Sequence, residues 1–262
     1  MHYSCAWLVL IFERFIQFNV DNYTSPSLLR YKWTPIPLFE HTYLILSRLT
    51  QGPIDRDIFA LIIEALRTTG YIILEEVFTL PQLQAWFIDI KSADSEQFRP
   101  AGIGREQGQM VNQFVRRDRI CWLDASHEPV VSYLEWMEQL RLRINRELFL
   151  GLFDYECHYA HYSEGAFYKK HLDSFKGNSN RRLSSILYLN PAWQSSDGGE
   201  LVLYAEGGDK VLQTVLPTFG KMVFFLSEEF PHEVLAAKCS RYSLTGWFRL
   251  NATDSLTLDP LK

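Results

Sequence analysis

The run "FYKKHLDSF", Phe167 to Phe175, places an imidazole and a carboxylate two positions apart, at His171 and Asp173. Along a strand, residues i and i+2 share a face, so the two project together while Leu172 points the other way. Alone, the pair reads as an ordinary ion pair or a solvated strand end; a metal site needs a third ligand. His232 in "FPHEVL" opens a later strand and supplies the candidate. Two histidines and one carboxylate on one face of an octahedron leave three positions open. That is the arrangement expected of non-haem Fe(II) sites that activate oxygen, with room for oxygen and a chelating co-substrate. Arg241 lies nine residues after His232, past the "AKCS" turn, where it begins the last strand, antiparallel to the one that His232 opens. Its planar fork suits a carboxylate remote from the metal.

Such residues need a scaffold. "IDRDIFALIIEALRTTGYIIL" carries apolar positions at Ile58, Leu61, Ile62 and Leu66 with Gly70 as a stop, an amphipathic helix running into a strand from Tyr71. "LPQLQAWFIDIKSA" and the stretch Glu128 to Leu148 read as further helices, the latter with a stripe that packs into a core. Beyond Asp154 the helical period gives way to eight short strand-like runs at 154–162, 166–172, 183–190, 199–205, 210–216, 220–226, 232–237 and 241–249, divided by Gly, Asn, Asp and Pro. The fold class is mainly β with flanking helices: a double-stranded β-helix, or jelly roll, at 154–250, supported by helices at 54–148. Residues 1–50, aromatic-rich and broken by prolines at 26, 35 and 37, read as an N-terminal extension to a domain at 51–262.

Composition excludes several classes. A formal charge of -5 and only three adjacent basic pairs argue against a nucleic-acid binder. Cys5, Cys121, Cys157 and Cys239 are scattered singly, unlike a zinc ribbon or a disulfide scaffold, which points to a reducing cytoplasm. "AWLVLIF" at 6–12 lacks a preceding basic residue and is followed by Glu13 and Arg14, so it reads as a local apolar patch, with no membrane span.

The strings "HYSEGAFYKKHLDSF", "RRLSSILYLNPAW", "GGELVLY", "FFLSEEFPHEV" and "RYSLTGWF", in that order, resemble the 2-oxoglutarate- and Fe(II)-dependent oxygenases. The likeness covers residues 54 to 250 and is to the prolyl-hydroxylase branch, which includes the animal oxygen-sensing hydroxylases and bacterial relatives. The resemblance implies that His171, Asp173 and His232 hold Fe(II), that Arg241 binds the distal carboxylate of 2-oxoglutarate with the Tyr188 hydroxyl, that Tyr162 lies beside this co-substrate and that Thr245 assists. It further implies a dioxygenase that consumes O2, releases succinate and CO2, uses ascorbate as an accessory reductant, and hydroxylates a prolyl residue of a protein or peptide, such as a translation factor like elongation factor Tu. Asp118 and Trp122, in "VRRDRICWLD", match positions that line the substrate entrance, while Arg117 stands where many relatives carry glycine.

From these placements Asp118 and Arg181 are expected to pair and close an entrance loop, 102–118, over the substrate. His158 and His161, three apart on a strand, point to opposite faces and read as supporting residues. "GIGREQG" from Gly102 lacks the lysine of a phosphate loop. Cys157 and Cys239 read as small buried residues. Two rivals stay open: an oxygenase with the same cofactors acting on a free amino acid or small metabolite, and a non-catalytic jelly-roll binding module.

Overall fold

The Asp57 carboxylate accepts a hydrogen bond from the Ala60 amide at 3.1 Å, and that cap starts helix α1, Ile58–Thr68. The computed structural model describes residues 57–93, 97–102, 114–174 and 180–251. All of them belong to one compact unit, Asp57–Lys262. The expected extension at 1–50, its apolar run at 6–12 and most of the "GIGREQG" segment lie outside the described residues. Helix α1 buries Ile62, Ile63 and Leu66, whereas Leu61 is 43% exposed. The buried stripe therefore runs through Ile63 where the sequence pointed to Leu61. Strand β1, Tyr71–Leu74, follows as expected. Thr79 and Gln82 form a capping box with proline in the first turn, starting α2, Leu80–Ser92. Helix α3, Val131–Leu148, buries Tyr133, Met137, Leu140 and Ile144, spacings of four, three and four that mark a single core-facing stripe.

Strands β2, Arg99–Pro100, and β3, Arg119–Leu123, are additions to the expected set. The eight expected strands form as β4, Leu152–Tyr162; β5, Tyr168–His171; β6, Arg181–Tyr188; β7, Leu201–Tyr204; β8, Val211–Val215; β9, Met222–Leu226; β10, His232–Val234; and β11, Arg241–Leu250. They make a jelly roll. The major sheet has the order β1-β9-β6-β11-β4-β3-β2, the minor sheet β5-β10-β7-β8. The strand opened by His232 pairs with β5 and β7, while the one opened by Arg241 pairs with β4 and β6, so the two face each other from opposite sheets and are not antiparallel neighbours.

Alternation sorts the major sheet into two faces. Cys157, Tyr159, Leu183, Leu187, Met222, Phe224, Leu244 and Phe248 point outward into one core with the buried faces of the helices. Ala160, Tyr162, Ile186, Tyr188, Val223 and Phe225 point inward to a second core with Leu201, Leu203, Val215 and Val234 of the minor sheet. Each large apolar side chain so buried contributes about 1.5–3 kcal/mol. Cys157 is buried as expected, but Cys239 is exposed, because it lies in the turn before β11 and not in a strand. Asn190, just after β6, donates to the carbonyls of Pro217 and Tyr242 and accepts from the Tyr242 amide at 2.6 Å, which pins the end of β6 to the start of β11. Among the described residues, no helix is long and apolar enough to cross a membrane.

Candidate active site

His171 ends β5 and His232 opens β10, where the two are cross-strand partners; Asp173 follows two residues after His171. One ligand atom from each of the three lies within 4.8 Å of the others. Asp173 Oδ1 is 3.5 Å from His171 Nε2, and Oδ2 is 3.6 Å from His232 Nε2. The far ring nitrogens are tied to backbone: His171 Nδ1 donates to the Lys169 carbonyl at 2.7 Å and His232 Nδ1 to the Phe230 carbonyl at 3.0 Å. With Nδ1 protonated, the lone pairs of both Nε2 atoms converge beside Asp173, the tautomer a divalent metal needs. Burial, aided by the neighbouring His171, lowers the His232 pKa to about 4 from 6.5, so the ring is neutral at physiological pH. Burial raises the Asp173 pKa, but His232, His171 and the Ser184 hydroxyl outweigh it and hold the carboxyl well below the usual range. Ser184 Oγ donates to Asp173 at 2.6 Å and lies 2.9 Å from Ser227 Oγ. Imidazole nitrogens with one ionised carboxylate suit Fe(II).

Across the pocket, Arg241 is buried and lines the same cavity as the three candidate ligands. Its guanidinium lies 4.8 Å from the Tyr162 ring and 5.0 Å from the Tyr188 ring, and its Nε donates to the Gly199 carbonyl at 2.9 Å. No carboxylate among the described residues pairs with it. The Tyr188 hydroxyl is buried without a hydrogen-bond partner, and burial, opposed by Arg241, raises its pKa to about 12. A buried cation lacking an anion beside a buried hydroxyl lacking a partner fits a carboxylate from outside the chain. Thr245 lines the cavity with Ser243, and their hydroxyls lie 3.2 Å apart.

At the mouth the expected pair does not form. Asp118 is fully buried and accepts from Arg116, Nε to Oδ1 at 2.7 Å and Nη2 to Oδ2 at 2.6 Å. Arg181 donates from Nε and Nη2 to Glu156 at 3.0 and 2.9 Å and lies flat on Trp247 at 3.5 Å. Glu156 lies on β4 and Trp247 on β11, so Arg181 at the start of β6 meets acceptors within its own sheet. Arg249 bonds Asp154 and lies 3.6 Å from Glu156, which extends the ionic row at that end of the sheet.

Arg116 also stacks 4.1 Å from the Tyr168 ring, and Tyr168 stacks on His171 at 3.5 Å with the planes 16° apart. The carboxylate of Asp118 thus backs a column of guanidinium, phenol and imidazole that ends on a candidate metal ligand. Trp122 is 48% exposed and does not line the cavity; its ring meets His158 at 5.1 Å and Trp247 at 6.4 Å. His158 faces the cavity and burial lowers its pKa to about 4 from 6.5, while His161 points away and stacks on Tyr242. Arg116, Tyr168, Ser184 and Trp247 were not singled out from the sequence. For Arg116 a signal existed, since it stands two residues from Asp118, the spacing that pairs His171 with Asp173.

The sequence profile of the 2OG-Fe(II) oxygenase superfamily matches residues 157–249. The chain is 41% identical to a prolyl-4-hydroxylase of Pseudomonas putida of known crystal structure, covering 74% of this chain and 99% of that one at a TM-score of 0.67. A prolyl hydroxylase from Trichoplax adhaerens, solved with a peptide fragment of the hypoxia inducible factor oxygen degradation domain, is 26% identical, covers 73% of this chain and 89% of that one, and has a TM-score of 0.64. Human Egl nine homolog 1 is 29% identical over 157 residues, which are 54% of this chain and 36% of that protein. The chain spans less than half the length of the curated relatives it matches.

Proposed function

The chain belongs to the 2OG-Fe(II) oxygenase superfamily, in its prolyl-hydroxylase branch, and from that premise we propose that it is a dioxygenase that hydroxylates a prolyl residue of a protein or peptide. The observation that carries this reading is the convergence of His171, Asp173 and His232 within 4.8 Å, in one cavity with an Arg241 that lacks an anion. Bound there, Fe(II) supplies oxygen activation coupled to the oxidative breakdown of 2-oxoglutarate to succinate and CO2.

The chain's own residues bind and orient. His171, Asp173 and His232 would hold the metal through Nε2, carboxylate and Nε2. Arg241 and the Tyr188 hydroxyl would take the distal carboxylate of 2-oxoglutarate, beside Tyr162 and the hydroxyl of Thr245. Leu201 and Val234 help keep water from that cavity. Asp118 acts from behind, through Arg116 and Tyr168, to fix the plane of His171. Trp247 and the Arg181 that lies over it form the wall past which a substrate enters, with Trp122 packed behind Trp247. A peptide substrate is supported by the Trichoplax relative, solved with one, and by the Pseudomonas prolyl-4-hydroxylase. A translation factor such as elongation factor Tu as target, ascorbate as accessory reductant and a cytoplasmic setting belong to the same proposal, on the strength of the bacterial likeness.

The test is succinate release from 2-oxoglutarate by the full chain with Fe(II), with and without proline-containing peptides, read beside mass spectrometry for one added oxygen on proline. Peptide-stimulated turnover with that mass gain is expected. Turnover stimulated only by free amino acids would move the function to a small-molecule oxygenase. Absence of 2-oxoglutarate binding by the metal-loaded protein would remove the oxygenase reading altogether.

A further inference from the structure

The wall behind Arg241 is a turn whose backbone comes unusually close to it. Gly198 and Gly199, at φ +68° and +69°, follow the short 3-10 helix Ser195–Asp197 and lead into β7. A side chain on Gly198 would meet the Ala236 carbonyl at 2.6 Å, and one on Gly199 would meet Arg241 Cδ and Ala237 Cβ at 3.1 Å and Trp193 Cζ2 at 3.3 Å. The turn is tied on both sides. Trp193 Nε1 donates to the Gly198 carbonyl at 3.0 Å, and the Gly199 amide donates to the Ala236 carbonyl at 3.2 Å.

Its remaining carbonyl, that of Gly199, accepts from Arg241 Nε at 2.9 Å. A guanidinium is planar, so fixing the direction of Nε–H also fixes where the two Nη groups point. The rings of Tyr162 and Tyr188, 4.8 and 5.0 Å away, hold that plane from the sides.

We propose that Gly199 is a positioning residue for co-substrate binding: its missing side chain admits the Arg241 stem, and its carbonyl orients the guanidinium so that both Nη groups face the distal carboxylate. This rests on the assignment of Arg241 to that carboxylate. A methyl at position 199 must displace the Arg241 stem, Ala237 or Trp193 while the backbone holds a left-handed φ. The fork then swings away from its ligand; β7 does pair with the β10 strand that carries His232, but the partner of His232, Leu203, lies four residues beyond Gly199.

The experiment is calorimetry on the full chain loaded with Mn(II), using two probes. 2-Oxoglutarate needs both the metal and Arg241; oxalate chelates the metal and has no carboxylate left to reach Arg241. Gly199→Ala is expected to weaken 2-oxoglutarate at least about tenfold while leaving oxalate within about twofold, since only the charge-assisted pair is lost. In turnover the same variant should raise KM for 2-oxoglutarate and spare kcat at saturation. Gly207→Ala, at φ +69° with nothing within 4 Å of the added methyl, carries the backbone strain alone and should change neither probe. If Gly199→Ala does not fold, Trp193→Leu, which loosens the same turn, should show a smaller loss confined to 2-oxoglutarate. Equal losses for both probes, or none for 2-oxoglutarate, overturn the proposal. A wild-type protein that binds oxalate but not 2-oxoglutarate would overturn the Arg241 assignment as well, so the two failures are distinguishable.

Discussion

Replacing Asp118 with alanine strips a buried cation of its carboxylate. The Arg116 side chain is 12% exposed and that of Asp118 is 0% exposed, with two hydrogen bonds of 2.7 and 2.6 Å between them. Burial works against the Arg116 charge, and the hydrogen bonds and charge of Asp118 more than reverse it, raising the arginine pKa above its usual value. Breaking a buried pair from one side costs about 3–5 kcal/mol. Arg116 would keep its bond to the Gly102 carbonyl at 3.3 Å and its place on Tyr168, so the lower half of that range applies. For a unit of this size about 3–4 kcal/mol corresponds to a fall in Tm of roughly 6–16 °C. The assay is urea unfolding of Asp118→Ala, Arg116→Met and the double variant, with constant m-values as the condition for comparison. The double variant leaves no unpaired charge, so its loss should fall short of the summed single losses by at least about 1 kcal/mol. Asp118→Ala combined with Arg181→Ala should instead add to within about 0.5 kcal/mol, because Arg181 is held by Glu156. Additivity at 116 and 118 with coupling at 118 and 181 would refute the assignment and restore the pairing expected from sequence.

Three further outcomes follow from the same geometry. His171→Ala or His232→Ala should abolish metal binding in calorimetry while circular dichroism keeps the β signature, since each removes one of three converging ligand atoms; near-normal metal affinity in either would undo the triad. Arg241→Ala should weaken 2-oxoglutarate by about 2–4 kcal/mol with metal affinity little changed, and Tyr188→Phe should act in the same direction but less, read as KM for 2-oxoglutarate. His158, neutral in the fold with a pKa of about 4 against an ordinary 6.5, binds a proton in the unfolded chain first. Its contribution to stability is therefore full above pH 6.5 and is lost as pH falls from there toward 4, by up to about 3 kcal/mol. His158→Gln should flatten the wild-type decline in urea midpoint across that window, and an unchanged pH profile would mean that the ring is charged in the fold.

The two-residue period of a strand made His171 and Asp173 legible as a pair, and eight strands legible as a jelly roll. The same period joins Arg116 to Asp118, but residues 102–118 read as a loop, where no strand period is expected. Two of the backbone bonds that straighten the end of that segment are remote: the Arg117 amide donates to Phe167 and the Lys169 amide to Val115. Nothing local announces them. The shift from Leu61 to Ile63 on α1 has a similar origin. "FALII" is apolar nearly all round, and which residues are buried depends on the sheet and on α3 beneath it. Period assigns a residue to a face of its own strand, and it is silent on which face of another sheet will lie opposite. Placement by motif brings Asp118 and Arg181 toward one entrance, while each has an oppositely charged partner nearer to hand.

That silence matters most where the site is assembled, since each sheet contributes one half of it. The minor sheet carries His171 and His232 in register, with Asp173 just beyond. The major sheet carries Arg241, Tyr188 and Thr245 on its inner face. In the proposed binding mode a chelating dicarboxylate would span the two halves, and a fixed spacing between the sheets would serve it. Ser184 meets that need: it projects from the inner face of β6 and donates to Asp173 at 2.6 Å, with Ser227 braced behind it at 2.9 Å. A buried hydrogen bond to a carboxylate contributes about 1.5–3 kcal/mol. Asp173 is thus both a candidate ligand and one of the points where the metal half is fastened to the carboxylate half. The separation between Arg241 and the triad is therefore built into the core and does not depend on a mobile loop.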